Sequence, residues 1–325
     1  MESEIVGIPV KPFREVDARD LQSDSMKDEL NTNGHLLIRG LLPGEDLNRL
    51  LGEITQIVYD AGWLLPDHSP AERVADAAAA CGDPDTGYKS VYKQIFSLES
   101  FHTLAHHPAL RQAMHLLVGP RLLIHPKPIG RLMFPNCEQF VIREHQDYGV
   151  NDGDSESFTA WIPLHDCPPE LGPLQVLEAS HRFGLQEANA DTGYIPRETA
   201  RGRNWVGGQI NAGDVLMFHR LTVHRATANI SRQIRISMDC RFQDCGRALN
   251  PAEVVFAGGS TNTRSWASTY ANWRSDDLKY YWKRMPIEFK PSRAELAQLA
   301  NTADSEAMRA RYARILSLLE LEMPG

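Results

Sequence analysis

The spacing of apolar and polar residues predicts a helical first part, a strand-rich middle part and a helical last part of the chain. Between Glu45 and Ala61, apolar residues recur every three or four positions, which is the spacing of a helix with one buried face. A shorter helix is expected over residues 24–33, because Asn33-Gly34 is a typical helix end and the apolar strand HLLIRG follows directly. Two further helices are expected near residues 98–106 and 109–118.

The segment from Trp63 to Tyr92 is rich in Pro, Gly and Asp and is therefore expected to be mostly loop. Within it, Ser69-Pro70-Ala71-Glu72 is a capping box with proline at the first helical position, which predicts a helix that continues to Ala80. A long, partly ordered excursion of this kind is either a lid over a binding site or a surface embellishment.

From Arg121 to Phe242 the pattern changes to short strands separated by turn residues. The predicted strands are RLLIHP, GRLMF, QFVIREH, SFTAWIPLH, LQVLE, DVLMFH and QIRISMDCRF. Many short strands without helices between them indicate a double-stranded β-helix, or jelly roll, and the flanking helices make the fold class α+β with an all-β core. After Asn250 the chain returns to helix, which is expected over residues 276–284 and 292–321.

No repeat or low-complexity linker interrupts the sequence, so residues 1–325 are expected to form a single domain. Its parts are a jelly-roll core over about residues 121–245, an N-terminal helical and lid part over about 20–119, and a C-terminal helical extension over about 250–325. The extension either covers the core or makes a dimer contact, so the oligomeric state stays open.

Charge and composition narrow the classes of function. The net charge is −8 and no run of Lys or Arg marks a groove for phosphates, so nucleic acid is not an expected partner. There is no stretch of about 18 apolar residues and no signal-peptide pattern, which predicts a cytoplasmic protein without a membrane partner. The five cysteines form no C-x-x-C pair, and we interpret them as reduced thiols.

The run His145-Gln146-Asp147 is the main candidate for chemistry. Side chains at i and i+2 of a strand point to the same side, so His145 and Asp147 are expected to present an imidazole nitrogen and a carboxylate oxygen to one ion. With 12 His and 42 acidic residues such a pair also arises by chance, and a structural histidine is the alternative. A second histidine would complete the face of two histidines and one carboxylate that suits non-haem Fe(II), and the candidates are His219 and His224.

The last predicted strand carries a polar face. The side chains that alternate with its apolar residues are Arg235, Ser237, Asp239 and Arg241. Arg235 follows His224 by eleven residues, and an arginine on the inner face of a barrel is costly unless it has a partner. A bound dicarboxylate would supply that partner through a two-pronged contact, and a salt bridge to Asp239 or Glu144 is the alternative.

The chain resembles the phytanoyl-CoA dioxygenase family of Fe(II)- and 2-oxoglutarate-dependent oxygenases. The ordered motifs that carry this resemblance are HQD, FTAWIPL, LGPLQVLEASH and GDVLMFHRLTVHRATANISRQIR. The opening NGHLLIRGLLPGEDLNRLLGEI and the segment YKQIFSLESFHTLAHHPALRQAMHLLVGP are also similar to that family, so the resemblance spans roughly residues 25–245.

The resemblance implies roles for individual residues. The implied iron ligands are His145, Asp147 and His224. Arg235 is implied to bind the distal carboxylate of 2-oxoglutarate, Trp161 to line the co-substrate pocket, and Lys93 to give a second cationic contact. The family often has a small hydroxyl residue two positions after the second histidine; this is Ala226 here, and Ser237 is expected to replace it.

The family chemistry implies that 2-oxoglutarate and O2 are consumed, that succinate and CO2 are released, and that an unactivated C–H bond of a small molecule is hydroxylated or otherwise oxidised. Because Asp147 is retained, hydroxylation is expected rather than the halogenation carried out by relatives with Gly or Ala at that position. Candidate substrate contacts are Arg143, Arg241 and Tyr92. The alternatives are a cupin-type metalloenzyme that does not use 2-oxoglutarate and a non-catalytic jelly-roll binding protein.

Overall fold

The computed structural model describes residues 10–148, 153–189, 192–258 and 265–323, and their strands form two sheets with an apolar layer between them. The strands are β1 (Glu15–Asp17), β2 (His35–Arg39), β3 (Leu122–Ile124), β4 (Ile129–Met133), β5 (Ser157–Pro163), β6 (Leu174–Leu177), β7 (Trp205–Val206), β8 (Val215–His219), β9 (His224–Ala226) and β10 (Arg235–Asp244). The larger, mixed sheet has the order β1-β2-β8-β5-β10-β3, with β4 also paired to β10, and the smaller has the order β7-β6-β9. The predicted α+β fold with a jelly-roll core is confirmed, although the strands of the described residues do not close into a barrel.

The layer between the sheets lies next to the candidate site. It contains Trp161 of β5 and Phe218 of β8 from the larger sheet, and Val176 of β6 and Ala226 of β9 from the smaller one. These residues are apolar or aromatic and buried on both sides, so they exclude water from the face of β10 that carries the predicted polar residues.

The helices cover the opposite face of the larger sheet. They are α1 (Ser23–Asn33), α2 (Gly44–Asp60), α3 (Thr86–Phe96), α4 (Glu99–Ala105), α5 (Pro108–Val118), α6 (Ala252–Val255), α7 (Trp266–Thr269), α8 (Arg293–Thr302) and α9 (Glu306–Glu322). Ile236 and Met238 of β10 belong to the same buried cluster as Met26 of α1 and Leu319 of α9. The single-domain organisation over residues 1–325 stays a prediction. None of the described helices has the length and apolar character needed to cross a membrane.

The helix predicted from Ser69 to Ala80 is wrong. The capping box does form, and the Ser69 N–H donates to the Glu72 carboxylate at 2.9 Å, but only two short 3-10 turns follow, at Pro70–Glu72 and Ala77–Ala79. Arg73 takes a left-handed conformation with φ 55°, and its carbonyl accepts a hydrogen bond from the Ile234 N–H at 2.9 Å. The helix does not continue because the backbone at Arg73 and Ala75 bonds to Ile234 and Arg232, on the chain leading into β10.

The strand predicted over QFVIREH is also wrong. A 3-10 turn at Glu138–Phe140 is followed by irregular chain, in which local bonds such as that from Val141 N–H to the Glu138 carbonyl at 3.1 Å satisfy the backbone. The end of this stretch rejoins the sheet, because His145 pairs with His224 through an isolated bridge. A regular strand is therefore not what positions the first candidate ligand.

The last part of the chain is less helical than predicted. Residues 276–284 contain only a 3-10 turn at Tyr281–Arg284. The helix expected over 292–321 is divided into α8 and α9, because Ala303 is extended with ψ 148° and Ser305 caps α9 by accepting a hydrogen bond from Met308. Conversely, α3 begins inside the segment that we interpreted as loop.

Candidate metal centre

His145, Asp147 and His224, the three residues that the resemblance implied as ligands, lie together and are largely buried. One ligand atom of each residue lies within 4.8 Å of the other two. The backbones of the two histidines exchange a reciprocal pair of N–H to carbonyl hydrogen bonds, both 3.0 Å long, and their ring centroids are 4.1 Å apart. This direct pairing across the chain fixes the two imidazoles side by side, although His145 is not part of a regular strand.

Backbone contacts set the tautomer of both imidazoles. The Nδ1 atom of His145 lies 2.8 Å from the carbonyl of Arg143, and that of His224 lies 3.0 Å from the carbonyl of Thr222. A carbonyl can only accept, so each Nδ1 carries the proton and donates it. Each Nε2 is then left with a lone pair, which is the arrangement of a histidine that binds a metal.

Two side chains hold the Asp147 carboxylate. The Thr159 hydroxyl of β5 donates to Oδ2 at 2.7 Å, and Nη2 of Arg241 on β10 donates to Oδ1 at 3.2 Å. Burial raises the pKa of Asp147, but Arg241 and the two imidazoles lower it by more, so the pKa lies well below its ordinary value. The carboxylate is therefore ionised and oriented.

The pKa values of the two histidines are also lowered, but for an imidazole this favours the neutral form. Burial, with a smaller contribution from the neighbouring His224, lowers the pKa of His145 to about 3. Burial also lowers the pKa of His224. Both imidazoles are therefore neutral near pH 7, and a neutral imidazole is the form that binds a metal ion.

The residue between the two ligands points the other way and anchors the motif. The Gln146 amide donates to the carbonyl of Leu221 at 2.6 Å and to that of Gly184 at 3.0 Å, and its oxygen accepts from the Gln186 N–H at 2.8 Å. Leu221 lies three residues before His224. Gln146 therefore joins the segment that carries two of the candidate ligands to the segment that carries the third.

On the same face of β10 as Arg241, the surroundings of Arg235 contain buried polar groups that have no partner among the described residues. Arg235 is 1% exposed; one of its terminal nitrogens donates to the Gly172 carbonyl, while its Nε has no hydrogen-bond partner among the described residues. The indole N–H of Trp161 and the hydroxyl of Ser237 are likewise buried without a partner there. The Arg235 guanidinium carbon lies 5.7 Å from the centre of the Trp161 ring. Buried donors are rarely left unpaired, so this group fits an anionic ligand.

The salt bridges considered for Arg235 from the sequence do not form. Asp239 accepts from Arg131 at 3.2 Å, and Glu144 accepts from Arg225 at 2.9 Å. Burial lowers the pKa of Arg235, as expected of a buried cation that forms no salt bridge with a carboxylate of the described residues.

The remaining predicted residues lie in different surroundings. Lys93 is exposed on α3, and Arg143 is half exposed, 3.8 Å from the Glu144 carboxylate. The Tyr92 hydroxyl accepts a hydrogen bond from the backbone N–H of Gly130 at 3.2 Å, and its ring packs against the helix-side cluster. Arg241 is engaged with Asp147. Contacts of these residues with a substrate or co-substrate stay predictions.

The alternative second histidine is placed elsewhere. His219 lies 3.7 Å from Glu156, and its Nδ1 accepts from the Leu221 N–H at 3.1 Å. The sequence reasoning missed the supporting roles of Thr159 and Gln146. Thr159 had a signal, because it lies two residues before Trp161 and therefore on the same face of a predicted strand, whereas Gln146 had none beyond its place in the motif.

The jelly-roll core and a triad of two histidines and one carboxylate define a class of non-haem metal-binding protein. The chain belongs to the phytanoyl-CoA dioxygenase (PhyH) family, whose family model matches residues 30–237. The resemblance noted from the motifs is therefore confirmed.

Individual relatives cover smaller parts of the chain. It is 31% identical over 118 residues to a 1-deoxypentalenic acid 11-beta-hydroxylase of Streptomyces arenae, which is 32% of this chain and 41% of that protein. It is 26% identical over 162 residues to the protein of the same name from Streptomyces exfoliatus, which is 44% of this chain and 56% of that one. The chain thus matches about half the length of these curated relatives.

Solved structures support the fold. The epimerase SnoN in complex with Fe3+, alpha ketoglutarate and nogalamycin RO has a TM-score of 0.52 at 21% identity, with 70% of this chain and 85% of that chain covered. The alpha ketoglutarate dependent carbocyclase SnoK has a TM-score of 0.52 at 20% identity, with 72% and 88% covered. At these identities the likeness shows a shared architecture.

Proposed function

We propose that this protein is an Fe(II)- and 2-oxoglutarate-dependent oxygenase that hydroxylates an unactivated C–H bond of a small molecule and releases succinate and CO2. The observation that carries the proposal is the buried triad of His145, Asp147 and His224, together with Arg235, which lies on the same face of β10 as Arg241 and whose Nε has no hydrogen-bond partner among the described residues. Two imidazoles and one carboxylate on one face leave the opposite positions of an octahedral ion open for a keto acid and O2.

Each residue of the site has a defined task in this proposal. Bound Fe(II) and 2-oxoglutarate supply the activation of O2, and the protein supplies position and charge. His145 and His224 would offer their Nε2 lone pairs, and Asp147 its carboxylate. Arg235 would bind the distal carboxylate of the keto acid through a charge-assisted, two-pronged contact.

The donors near Arg235 that have no partner among the described residues support the co-substrate assignment. The Ser237 hydroxyl is two residues from Arg235 on the same face of β10, where it would supply the hydrogen bond that Ala226 cannot give. Trp161 would cover the aliphatic part of the keto acid and donate from its indole N–H. Lys93 is the proposed second cationic contact for 2-oxoglutarate.

A small organic molecule is the proposed substrate. The curated relatives are hydroxylases of 1-deoxypentalenic acid, a carboxylic acid by name. Arg143 is half exposed near the first histidine and 5.7 Å from the ring of Tyr194, where it would meet a polar or anionic group. Arg241 and Tyr92 complete the proposed contacts. We also propose that the protein acts in the cytoplasm, without a nucleic-acid or membrane partner.

Succinate formation tests the proposal. Purified protein is given Fe(II), ascorbate and 2-oxoglutarate, and succinate is measured without and with a panel of small organic acids. His145→Gln is expected to abolish succinate formation. His219→Gln is the matched control, because it removes a buried imidazole of the same region that is not part of the triad. Full activity of His145→Gln, or loss only in His219→Gln, would contradict the proposal.

A further inference from the structure

A buried carboxylate of the C-terminal extension lies behind the candidate metal centre. Glu253 of α6 is 1% exposed. Its Oε1 lies 3.3 Å from the Lys127 ammonium, and its Oε2 lies 3.7 Å from Nδ1 of His125 and 3.8 Å from Nη1 of Arg241. A carboxylate in this position is the counter-charge of a cationic cluster.

Arg241 joins this carboxylate to the triad. One side of its guanidinium faces Glu253 through Nη1, and the other side donates to Asp147 from Nη2 at 3.2 Å. The arginine side chain is 6% exposed, so water screens neither contact strongly. The position of Arg241, and the share of its charge that acts on Asp147, therefore depend on Glu253.

Arg241 and Glu253 both lie beyond the family match, which ends at residue 237. Glu253 is held in place by the last helix, because Val254 of α6 and Leu319 of α9 share one buried cluster. Phe256 lies three residues after Glu253, and the Arg314 guanidinium of α9 is 5.2 Å from the centre of its ring. The C-terminal extension thus delivers one carboxylate to a site whose other groups come from the jelly-roll core.

The sign of the effect follows from the charges. With Glu253 ionised, Arg241 is shared between two carboxylates. Without that charge, Lys127 and Arg241 would be left as neighbouring cations without their shared carboxylate, and Arg241 would compete with a divalent metal for the Asp147 oxygens. Removal of the Lys127 cation would have the opposite effect on metal binding. Glu253 would then attract Arg241 more strongly and draw it away from Asp147.

We infer that Glu253 is a positioning residue for the metal centre: it holds Arg241 and offsets its charge, so that Asp147 remains available to a divalent metal. The inference rests on the metal site of the proposed function and extends that site to the C-terminal part of the chain.

The test is titration of the metal-free protein with Co(II), followed by its visible absorption, which does not depend on turnover. Glu253→Gln keeps the shape of the side chain and is expected to raise the Co(II) dissociation constant roughly tenfold. Glu178→Gln is the matched control, since Glu178 is paired with Lys11 at 3.3 Å near the surface; it is expected to bind Co(II) within about twofold of wild type.

Two further variants separate this role from a purely structural one. In an Arg241→Met background, Glu253→Gln is expected to have no additional effect, because its influence passes through Arg241. Lys127→Met is expected to bind Co(II) as tightly as wild type or more tightly, and it remains informative if Glu253→Gln does not fold. Weaker binding by Lys127→Met, unchanged binding by Glu253→Gln, or an equal loss without Arg241 would overturn the inference. Failure of wild type to bind Co(II) would instead overturn the proposed function.

Discussion

Gln146→Glu is expected to damage the candidate metal centre although the Gln146 side chain bonds to Leu221, Gly184 and Gln186 and not to the triad. The substitution keeps size and shape but replaces the amide nitrogen by an oxygen. That oxygen would face the carbonyls of Leu221 and Gly184, which now accept from the amide at 2.6 and 3.0 Å. The bond from the Gln186 N–H to the other oxygen at 2.8 Å would survive.

The magnitude follows from these contacts. Two lost hydrogen bonds cost about 2 kcal/mol, and burial of an acceptor against two carbonyls adds about 1–3 kcal/mol. We therefore expect the free energy of unfolding to fall by at least about 3 kcal/mol. Because Gln146 joins the His145–Asp147 segment to the segment before His224, the Co(II) dissociation constant should also rise, by roughly tenfold to a hundredfold.

Chemical denaturation and Co(II) titration measure the two effects. Gln186→Glu is the matched control. The Gln186 amide nitrogen donates to the same Gly184 carbonyl at 3.2 Å and to the Phe183 carbonyl at 3.0 Å, but no candidate ligand is adjacent to Gln186 in the sequence. This control is expected to lose less than about 1 kcal/mol and to bind Co(II) normally. The reasoning would be refuted by a Gln146→Glu protein with wild-type stability and Co(II) affinity.

Three further predictions concern the site and its surroundings. Thr159→Val removes the 2.7 Å hydrogen bond to the Asp147 carboxylate and should weaken Co(II) binding roughly tenfold in the same titration, with fold and melting temperature largely kept. Gly172→Ala should lower the free energy of unfolding by more than Gly184→Ala, although both glycines have positive φ. A Cβ at Gly172 would lie 2.4 Å from a backbone oxygen, whereas a Cβ at Gly184 would meet open space. Equal losses in the two variants would contradict this prediction. Burial lowers the pKa of His102 from 6.5 to about 4, so its neutral form is favoured in the folded state. The free energy of unfolding of the metal-free protein should therefore fall as the pH drops from about 6.5 towards 4. His102→Gln should reduce this pH dependence when denaturation is measured at several pH values.

The residues that lie close together through local patterns were predictable. The strict alternation along β10 placed Arg235, Ser237 and Arg241 on one face, since side chains of a strand alternate whatever lies beside it. The motif also identified His145 and Asp147 as neighbours. For β10 the strand rule was sufficient, whereas for the motif it was closeness in sequence that placed the two residues together, since no regular strand forms there.

Features that depend on distant partners were not predictable in the same way. The chain before His145 looked like a strand, but its backbone bonds locally, and only its pairing with His224 brings the imidazoles together. The capping box at Ser69 formed, yet the helix did not continue, because the following backbone bonds near β10. Glu253 gave no sign of its proximity to Arg241, since this contact is set by how the last helices pack.

The central claim is that one site holds a metal and a keto acid together. Calorimetric titration of 2-oxoglutarate into the protein tests it most directly, with Co(II) in place of Fe(II) so that no turnover occurs. The account predicts saturable binding to the metal-loaded wild type, none to metal-free protein, and loss of binding in Arg235→Ala. Metal binding without any 2-oxoglutarate binding, or binding that Arg235→Ala leaves unchanged, would contradict it and favour a cupin-type metalloprotein or a non-catalytic binding protein.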